Sequence, residues 1–314
     1  VLPGEPEAII AAARQIGFPV LVKPAGGGGG IGMLPANDDA ELLSAVERSR
    51  SMASRGFGNA EVYLERLIER PRHVEFQVLG DAHGAAAHLF ERDCSTQRRN
   101  QKVIEEAPAP GIARADADGM AEKIAGIMRN LSYDNIGTVE MLYGADGSFS
   151  FLEMNTRLQV EHGVTEEVTG VDLVKAQIRS AAGERLADIL PAKIEVKGHA
   201  IQARVYAEDP KSFFPSPGKL NVFRPPEDPT IRIETGYAEG RDVTPHYDPM
   251  IAKVIVHAAT RKQAIDRLIE ALRAFDIQGI KHNIPAVVSV LNSEAFRAGN
   301  VHTGIIQEVL AKKS

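Results

Sequence analysis

The chain has 314 residues, 44% of them apolar and 25% charged, enough for one large or two moderate domains with real cores. A net charge of −6 argues against non-specific nucleic-acid binding, and no stretch approaches the roughly 18 consecutive apolar residues of a membrane span. The single cysteine, Cys94, excludes an internal disulfide and any multi-cysteine metal site. No signal peptide is visible, and the single cysteine fits a reducing cytoplasm, the expected setting, with neither nucleic acid nor membrane as partner. The opening Val-Leu-Pro-Gly reads like the middle of a linker, and the expectation is a piece of a longer protein.

In chain order, residues 5–16 carry helical periodicity and stop at Gly17. Phe18-Pro-Val-Leu-Val-Lys-Pro24 is a short apolar strand with Lys23 near its end, and five glycines follow at 26–30. Asn37 or Asp38 caps a helix to about Met52, with Glu41 as capping-box partner. A loop at 54–58 and a strand at 61–68 close a self-contained α/β unit that looks like a small lid. Beyond Arg70 the pattern turns to long antiparallel strands. These are 73–79, then a turn at 81–84, then 85–91, followed by a dense polar stretch over 92–106 that Pro108 and Pro110 close. Helices are expected at 115–131, 172–182, 261–274 and 284–291, and strands at 198–207, 219–223, 230–235 and 250–257. Gln202 and Arg204 alternate along the first of these strands, and 214–218 is a rigid turn.

The chemistry gathers at an acidic hairpin. Gly137-Thr-Val-Glu-Met-Leu-Tyr143 and the strand beginning at Phe151 flank Asp146-Gly147, a strong signal for a two-residue turn. That turn sets Glu140 opposite Glu153. At about 5 Å and an effective dielectric of about 20 the two charges repel by about 3 kcal/mol. A chain keeps such a pair when something positive sits between them. Asn155 leaves the same face as Glu153, so two carboxylates and an amide oxygen form a hard-oxygen set suited to Mg²⁺. The plain alternative is a hairpin of solvated acids, against which the apolar neighbours Val139, Phe149, Phe151 and Met154 argue.

The glycine run contains G-x-G-x-x-G at Gly27, Gly29 and Gly32, but the next helix starts too late for a dinucleotide fingerprint, and no Gly-Lys-Ser/Thr follows. It reads instead as a backbone flap whose N–H groups wrap phosphate, with Lys23 supplying a point charge; a plain flexible loop is the alternative. Residues 157, 159 and 161 alternate, so an extended segment would aim Arg157, Gln159 and Glu161 one way, round a small anion.

Lys23 plus the flap, then Glu140, Glu153 and Asn155, resemble the ATP-grasp arrangement. Pro71-Arg-His-Val-Glu75, Glu91-Arg-Asp-Cys-Ser-Thr-Gln-Arg-Arg99, Gln101-Lys-Val-Ile-Glu-Glu-Ala-Pro-Ala-Pro-Gly111, Glu153-Met-Asn-Thr-Arg-Leu-Gln-Val-Glu-His162 and Phe214-Pro-Ser-Pro-Gly-Lys219 are similar, over essentially the whole chain, to the biotin carboxylase component of biotin-dependent carboxylases. The implied fold is α+β, an ATP-grasp fold with a small α/β lid (1–67) and a larger antiparallel-sheet region (68–314). The resemblance implies ATP contacts at Lys23, Gly27, Gly28, Gly29, Gly30, Met33, Glu65, Arg66, Ile68, His73, Gln97 and Leu142. It implies Mg²⁺ (or Mn²⁺) at Glu140, Glu153 and Asn155, and bicarbonate at Lys102, Arg157, Gln159, Val160 and Glu161. Glu161 would be the general base and Arg232 would steady the biotin enolate. Biotin would arrive on a carrier protein or domain, with a carboxyltransferase component and a homodimer as further partners.

The implied reaction is ATP-dependent carboxylation of biotin with bicarbonate through carboxyphosphate. Two alternatives stay open: another ATP-grasp carboxylate–amine ligase, and a nucleotide-binding module inert without a further domain. The family begins with an α/β domain that supplies another phosphate-contacting lysine, and no such domain precedes Val1 in this sequence. No Ala-Met-Lys-Met attachment site is present. Ile31, Asn100 and Gly163 depart from the usual Arg or Lys, His and Pro, and resemble urea-carboxylase-type members.

Overall fold

The structure is a computed structural model that describes residues 2–26 and 32–312. The glycines 27–30 expected to wrap phosphate, and Ile31, lie outside the described residues.

The chain divides into two compact units, Val1–Glu69 and Arg70–Ser314. In the first, α1 (Pro6–Ile16) and α2 (Asp39–Phe57) pack on an antiparallel sheet of β1 (Val20–Pro24), β2 (Leu34–Ala36) and β3 (Val62–Arg66), with β1 in the middle. Ile9, Val20, Val22, Leu42, Val46 and Val62 form its core. Asp38 caps α2 by accepting from the Glu41 N–H at 2.9 Å, whereas the Glu41 carboxylate returns to the N–H of Asn37. The helix runs five residues past the expected Met52 and stops at Gly58, whose φ of 69° suits a left-handed C-cap.

The second unit is built on an eight-stranded antiparallel sheet. Its strands begin with β4 (Arg72–Gly80), β5 (Ala86–Arg98) and β6 (Gln101–Ala107). After α3 (Arg114–Asn130) come β7 (Asn135–Tyr143) and β8 (Phe149–Asn155), then α4 (His162–Thr169), α5 (Leu173–Ala181) and α6 (Leu186–Ile189). Next are β9 (His199–Tyr206), β10 (Gly218–Lys219), β11 (Val222–Arg224), β12 (Arg232–Glu234), β13 (Asp242–Val243) and β14 (Met250–Ala258). The order finishes with α7 (Arg261–Ala274), β15 (Asp276–Gln278), α8 (Ile284–Leu291), α9 (Glu294–Arg297) and α10 (Ile305–Ala311). The large sheet has the order β12-β14-β9-β6-β5-β4-β7-β8.

Period-two alternation gives this sheet two unlike faces. One carries Val74, Phe76, Val78, Val139 and Met141 against α3, and Ile201, Ala203, Val205, Val254 and Val256 against α7 and its neighbours. The other carries a stripe of buried polar side chains, with α4 covering Ala200 and Ile255 beside it. The dense polar stretch 92–106 lies within the sheet. It is the β5–β6 hairpin at the middle of the sheet, turned by Arg99 and Asn100 at φ 51° and 64°.

Gly80 has a packing duty: a Cβ there would lie 1.9 Å from the backbone oxygen of Tyr133. Gly80→Ala is expected to destabilise the protein by about 3 kcal/mol, read from denaturant unfolding, because backbone has to move.

Candidate active site

The acidic hairpin reaches the expected facing pair by a different route. The tip is a three-residue loop, 145–147, closed by the Gly144 N–H to the Ser148 carbonyl at 3.0 Å, with Gly147 at φ 80°. This shifts the register by one, pairing Tyr143 with Phe149 and Met141 with Phe151. Leu152 then bulges out of β8 and shifts it back, so Glu140 does face Glu153 and Thr138 faces Asn155.

The row of acids is longer than two. On its other side Glu140 pairs with Glu75 of β4, and Glu75 with Arg92 of β5. Lys102 reaches in from β6 and gathers the acids: Nζ lies 2.6 Å from Glu75, 2.9 Å from Glu140 and 2.5 Å from Glu161. Arg92, 0% exposed, meets five acceptors. They are Glu75 (2.6 Å), Gln77 (2.7 Å), Thr165 (2.8 Å), Thr138 (3.4 Å) and Gln159 (3.5 Å). A guanidinium has five N–H donors, so all are used. Because Gln159 Oε1 faces Arg92, its Nε2 faces Glu140 at 2.7 Å.

Charge states follow. Burial pushes the Glu75 carboxyl up, but Lys102 and Arg92 more than offset this and hold it at about 2. Burial likewise opposes ionisation of Glu140, while His73 and Lys102 bring it to about 2. Burial works against the Lys102 ammonium, yet Glu75 and the other anions raise its pKa above the usual lysine range.

His73 accepts at Nδ1 from Gln97 Nε2 (2.7 Å), an amide whose orientation the Cys94 carbonyl fixes at 2.8 Å. The imidazole proton therefore sits on Nε2. Nε2 is buried, lies 3.0 Å from Glu140 Oε2 and makes no aligned hydrogen bond. A buried donor left without an aligned acceptor suits an anionic ligand. Leu142 stands opposite His73 across β4 and β7.

The segment 156–161 is not extended as expected. It bends and turns into α4, and Glu161, at φ −85° and ψ 6°, holds the cap position. Gln159 and Glu161 still enter the polar stripe, because the turn places them over β7 and β6. Arg157 stays exposed and donates to Asn155 Oδ1 at 3.3 Å. The Val160 carbonyl accepts from Lys253 Nζ at 2.8 Å. Arg232 is not brought to this cluster: it pairs with Glu166 (2.7 Å), Glu167 (3.5 Å) and Glu234. The guanidinium beside Glu161 is that of Arg204, 3.0 Å away. Arg204, Glu75 and Arg92 were missed as site residues. For Glu75 and Arg204 the signal available was alternation of polar residues along strands otherwise rich in apolar ones; Arg92, inside the polar stretch 92–106, carries no such signal.

In the first unit, Lys23 donates to Glu65 at 2.8 Å and lies over the Tyr63 ring. Met33, Glu65 and Ile68 are half-buried and Arg66 is exposed.

The donors at the hairpin fit a hard divalent cation. Glu140 and Glu153 offer carboxylate oxygens, and Asn155 Nδ2 spans them at 3.1 and 3.3 Å. Turning that amide over, a change of no volume, would aim its oxygen at the same point.

Residues 3–189 match the family model for the carbamoyl-phosphate synthase L chain ATP-binding domain, and 202–308 match the biotin carboxylase C-terminal domain. The biotin carboxylase of Halalkalibacterium halodurans is 46% identical over all of this chain and 71% of its own. A biotin carboxylase from Allochromatium vinosum is 48% identical over 95% of this chain and 66% of its own. A solved structure of the biotin carboxylase domain dimer of Hydrogenobacter thermophilus 2-oxoglutarate carboxylase, in complex with MgADP, ADP and bicarbonate, superposes with a TM-score of 0.91. It is 40% identical and covers 98% of this chain and 68% of that one. The fold is thus that of the ATP-grasp enzymes. The chain belongs to the biotin carboxylase family.

Lys102→Met is expected to cost about 3–5 kcal/mol at pH 7, since three buried acids lose their shared cation. Glu75 and Glu140 titrate near 2 in the fold. Their contribution is present above the ordinary carboxylate pKa of about 4.3 and lost as pH falls toward 2. The gap between Lys102→Met and the parent should therefore narrow as pH drops through that window, measured by urea unfolding.

Proposed function

We propose that this protein catalyses the ATP-dependent carboxylation of biotin, the first half-reaction of a biotin-dependent carboxylase. The observation that carries the reading is the Glu161 carboxylate held between Lys102 and Arg204, 2.5 and 3.0 Å away, beside an acid pair with hard-oxygen character. Bicarbonate is a poor nucleophile until it loses its proton, and Glu161 is the base that takes it. Lys102, Arg157, Gln159 and the Val160 backbone hold the anion. Its oxygen attacks the γ-phosphorus of ATP, ADP leaves, and the resulting carboxyphosphate breaks down to CO₂ and phosphate. Phosphate accepts the ureido proton as N1′ of biotin bonds to CO₂. Glu140, Glu153 and Asn155 would hold Mg²⁺, which supplies charge neutralisation for phosphoryl transfer.

For ATP we assign Lys23, Met33, Glu65, Arg66 and Ile68 in the first unit and His73, Gln97 and Leu142 in the second. Residues 1–67 are taken as the lid and 68–314 as the core with its C-terminal region. Arg204 takes the biotin-facing role that the family resemblance implies for Arg232, because Arg204 is the one beside the base. A biotin carrier, a carboxyltransferase component and a second copy of the chain are the proposed partners, in the cytoplasm. That list is supported by a relative's biotin carboxylase domain solved as a dimer and by relatives that are named as parts of pyruvate and methylcrotonoyl-CoA carboxylases. Among the described residues no helix is long and apolar enough to cross a membrane.

Glu161→Gln in the intact enzyme is expected to abolish bicarbonate-dependent ATP cleavage while ATP binding stays within about twofold. Full turnover by that variant would remove Glu161 as the base. ATP cleavage that ignores biotin but responds to an amine would favour a carboxylate–amine ligase instead.

A further inference from the structure

The polar stripe holds one more carboxylate, fully buried, that the mechanism above leaves idle. Glu105, on β6, is 0% exposed. Its Oε1 accepts from Arg204 Nε at 2.5 Å and its Oε2 from Gln202 Nε2 at 3.0 Å. The register explains the geometry: Glu105 pairs with Gln202 across β6 and β9, and Arg204 leaves the same face two residues on. The other arm of Arg204, Nη2, reaches Glu161. The guanidinium is thus a strut between two carboxylates, one the base and one fixed in the sheet.

Gln202 adds a second observation. Its Oε1 is buried with no hydrogen-bond partner, while its Nε2 serves Glu105. Leaving an amide oxygen unmatched is costly, so the contact to Glu105 is what sets the amide's direction. An ionised carboxylate is also costly to bury, and a fold with no use for it does better with an apolar side chain. Burial raises the Glu105 pKa, against the pull of Arg204.

We propose that Glu105, anchored by Gln202, is a positioning residue that keeps the Arg204 guanidinium in place while Glu161 takes up a proton. A carboxyl that gains a proton loosens its grip on a guanidinium. Without a second anchor the long Arg204 side chain would then be free to swing at the moment biotin has to be oriented. This inference rests on the roles given above to Glu161 and Arg204.

The test is a double-mutant cycle in the intact enzyme: Glu105→Gln, Arg204→Met and both together. It reads kcat for biotin-dependent ATP cleavage, KM for ATP and the thermal midpoint. Glu105→Gln is expected to lower kcat about 10- to 100-fold with KM for ATP within about twofold. Added to Arg204→Met, it should cost less than about threefold more, as befits a residue that acts through another. A parent-like kcat for Glu105→Gln beside an impaired Arg204→Met, or fully additive losses, would remove Glu105 and leave the reading of Arg204 standing. A parent-like Arg204→Met would overturn both. If Glu105→Gln does not fold, Gln202→Met takes its place: a kcat loss of about 3- to 10-fold is expected, and an unchanged kcat overturns the proposal.

Discussion

One ammonium group decides whether this site can exist. Three glutamates on adjacent strands, Glu75, Glu140 and Glu153, and a fourth at the mouth of α4, Glu161, crowd one face of a sheet. Glu153 is exposed, but the other three are buried, and left unpaired in a dry interior they would either protonate or drive the strands apart. Lys102 touches three of the four and Arg92 holds one of those from behind. Despite burial, Glu75 and Glu140 are held below the usual carboxylate range, because Lys102 and Arg92 come from the same sheet.

The sheet achieves this by division of labour between its faces. Odd and even residues of β4, β7, β9 and β14 go to opposite sides, so each strand gives one set to the helices and the other to chemistry. Burial of the apolar set against α3 and α7 stabilises the fold, and the polar set is carried along in register. The exactness of the site is thus inherited from the core. Arg92 illustrates this: its five acceptors come from β4, β7, α4 and the turn before α4, so it ties those segments to one point.

Much of this was legible in the sequence, and the failures have physical causes. Helix limits at 261–274 and 284–291 match the structure: Thr260 caps the first, and Pro285 stands in the first turn of the second. The facing of Glu140 and Glu153 was also legible, though by two offsets that cancel. The polar run 92–106 carries no secondary-structure assignment in the sequence, because polarity by itself does not separate a solvated loop from a strand whose charges are paired across a sheet. Helix α4 was missed because the Arg157, Gln159 and Glu161 alternation mimics a strand, whereas hydrogen bonds to Gln159 and Glu161 carbonyls turn the chain. Arg232 entered only through the family resemblance, and sequence alone cannot say that Arg204 is the arginine that lies beside Glu161.

The bulge at Leu152 has a lesson for how such a hairpin can vary. Surface tips ordinarily tolerate added or lost residues, since nothing downstream depends on their length. Here the loop length and the kink are a matched set. Trimming the tip by one while keeping the kink would turn Glu153 and Asn155 to the opposite side of the ribbon. Descendants of this chain can therefore change both features together or neither, so a place that looks free to drift is held as firmly as the acids it presents.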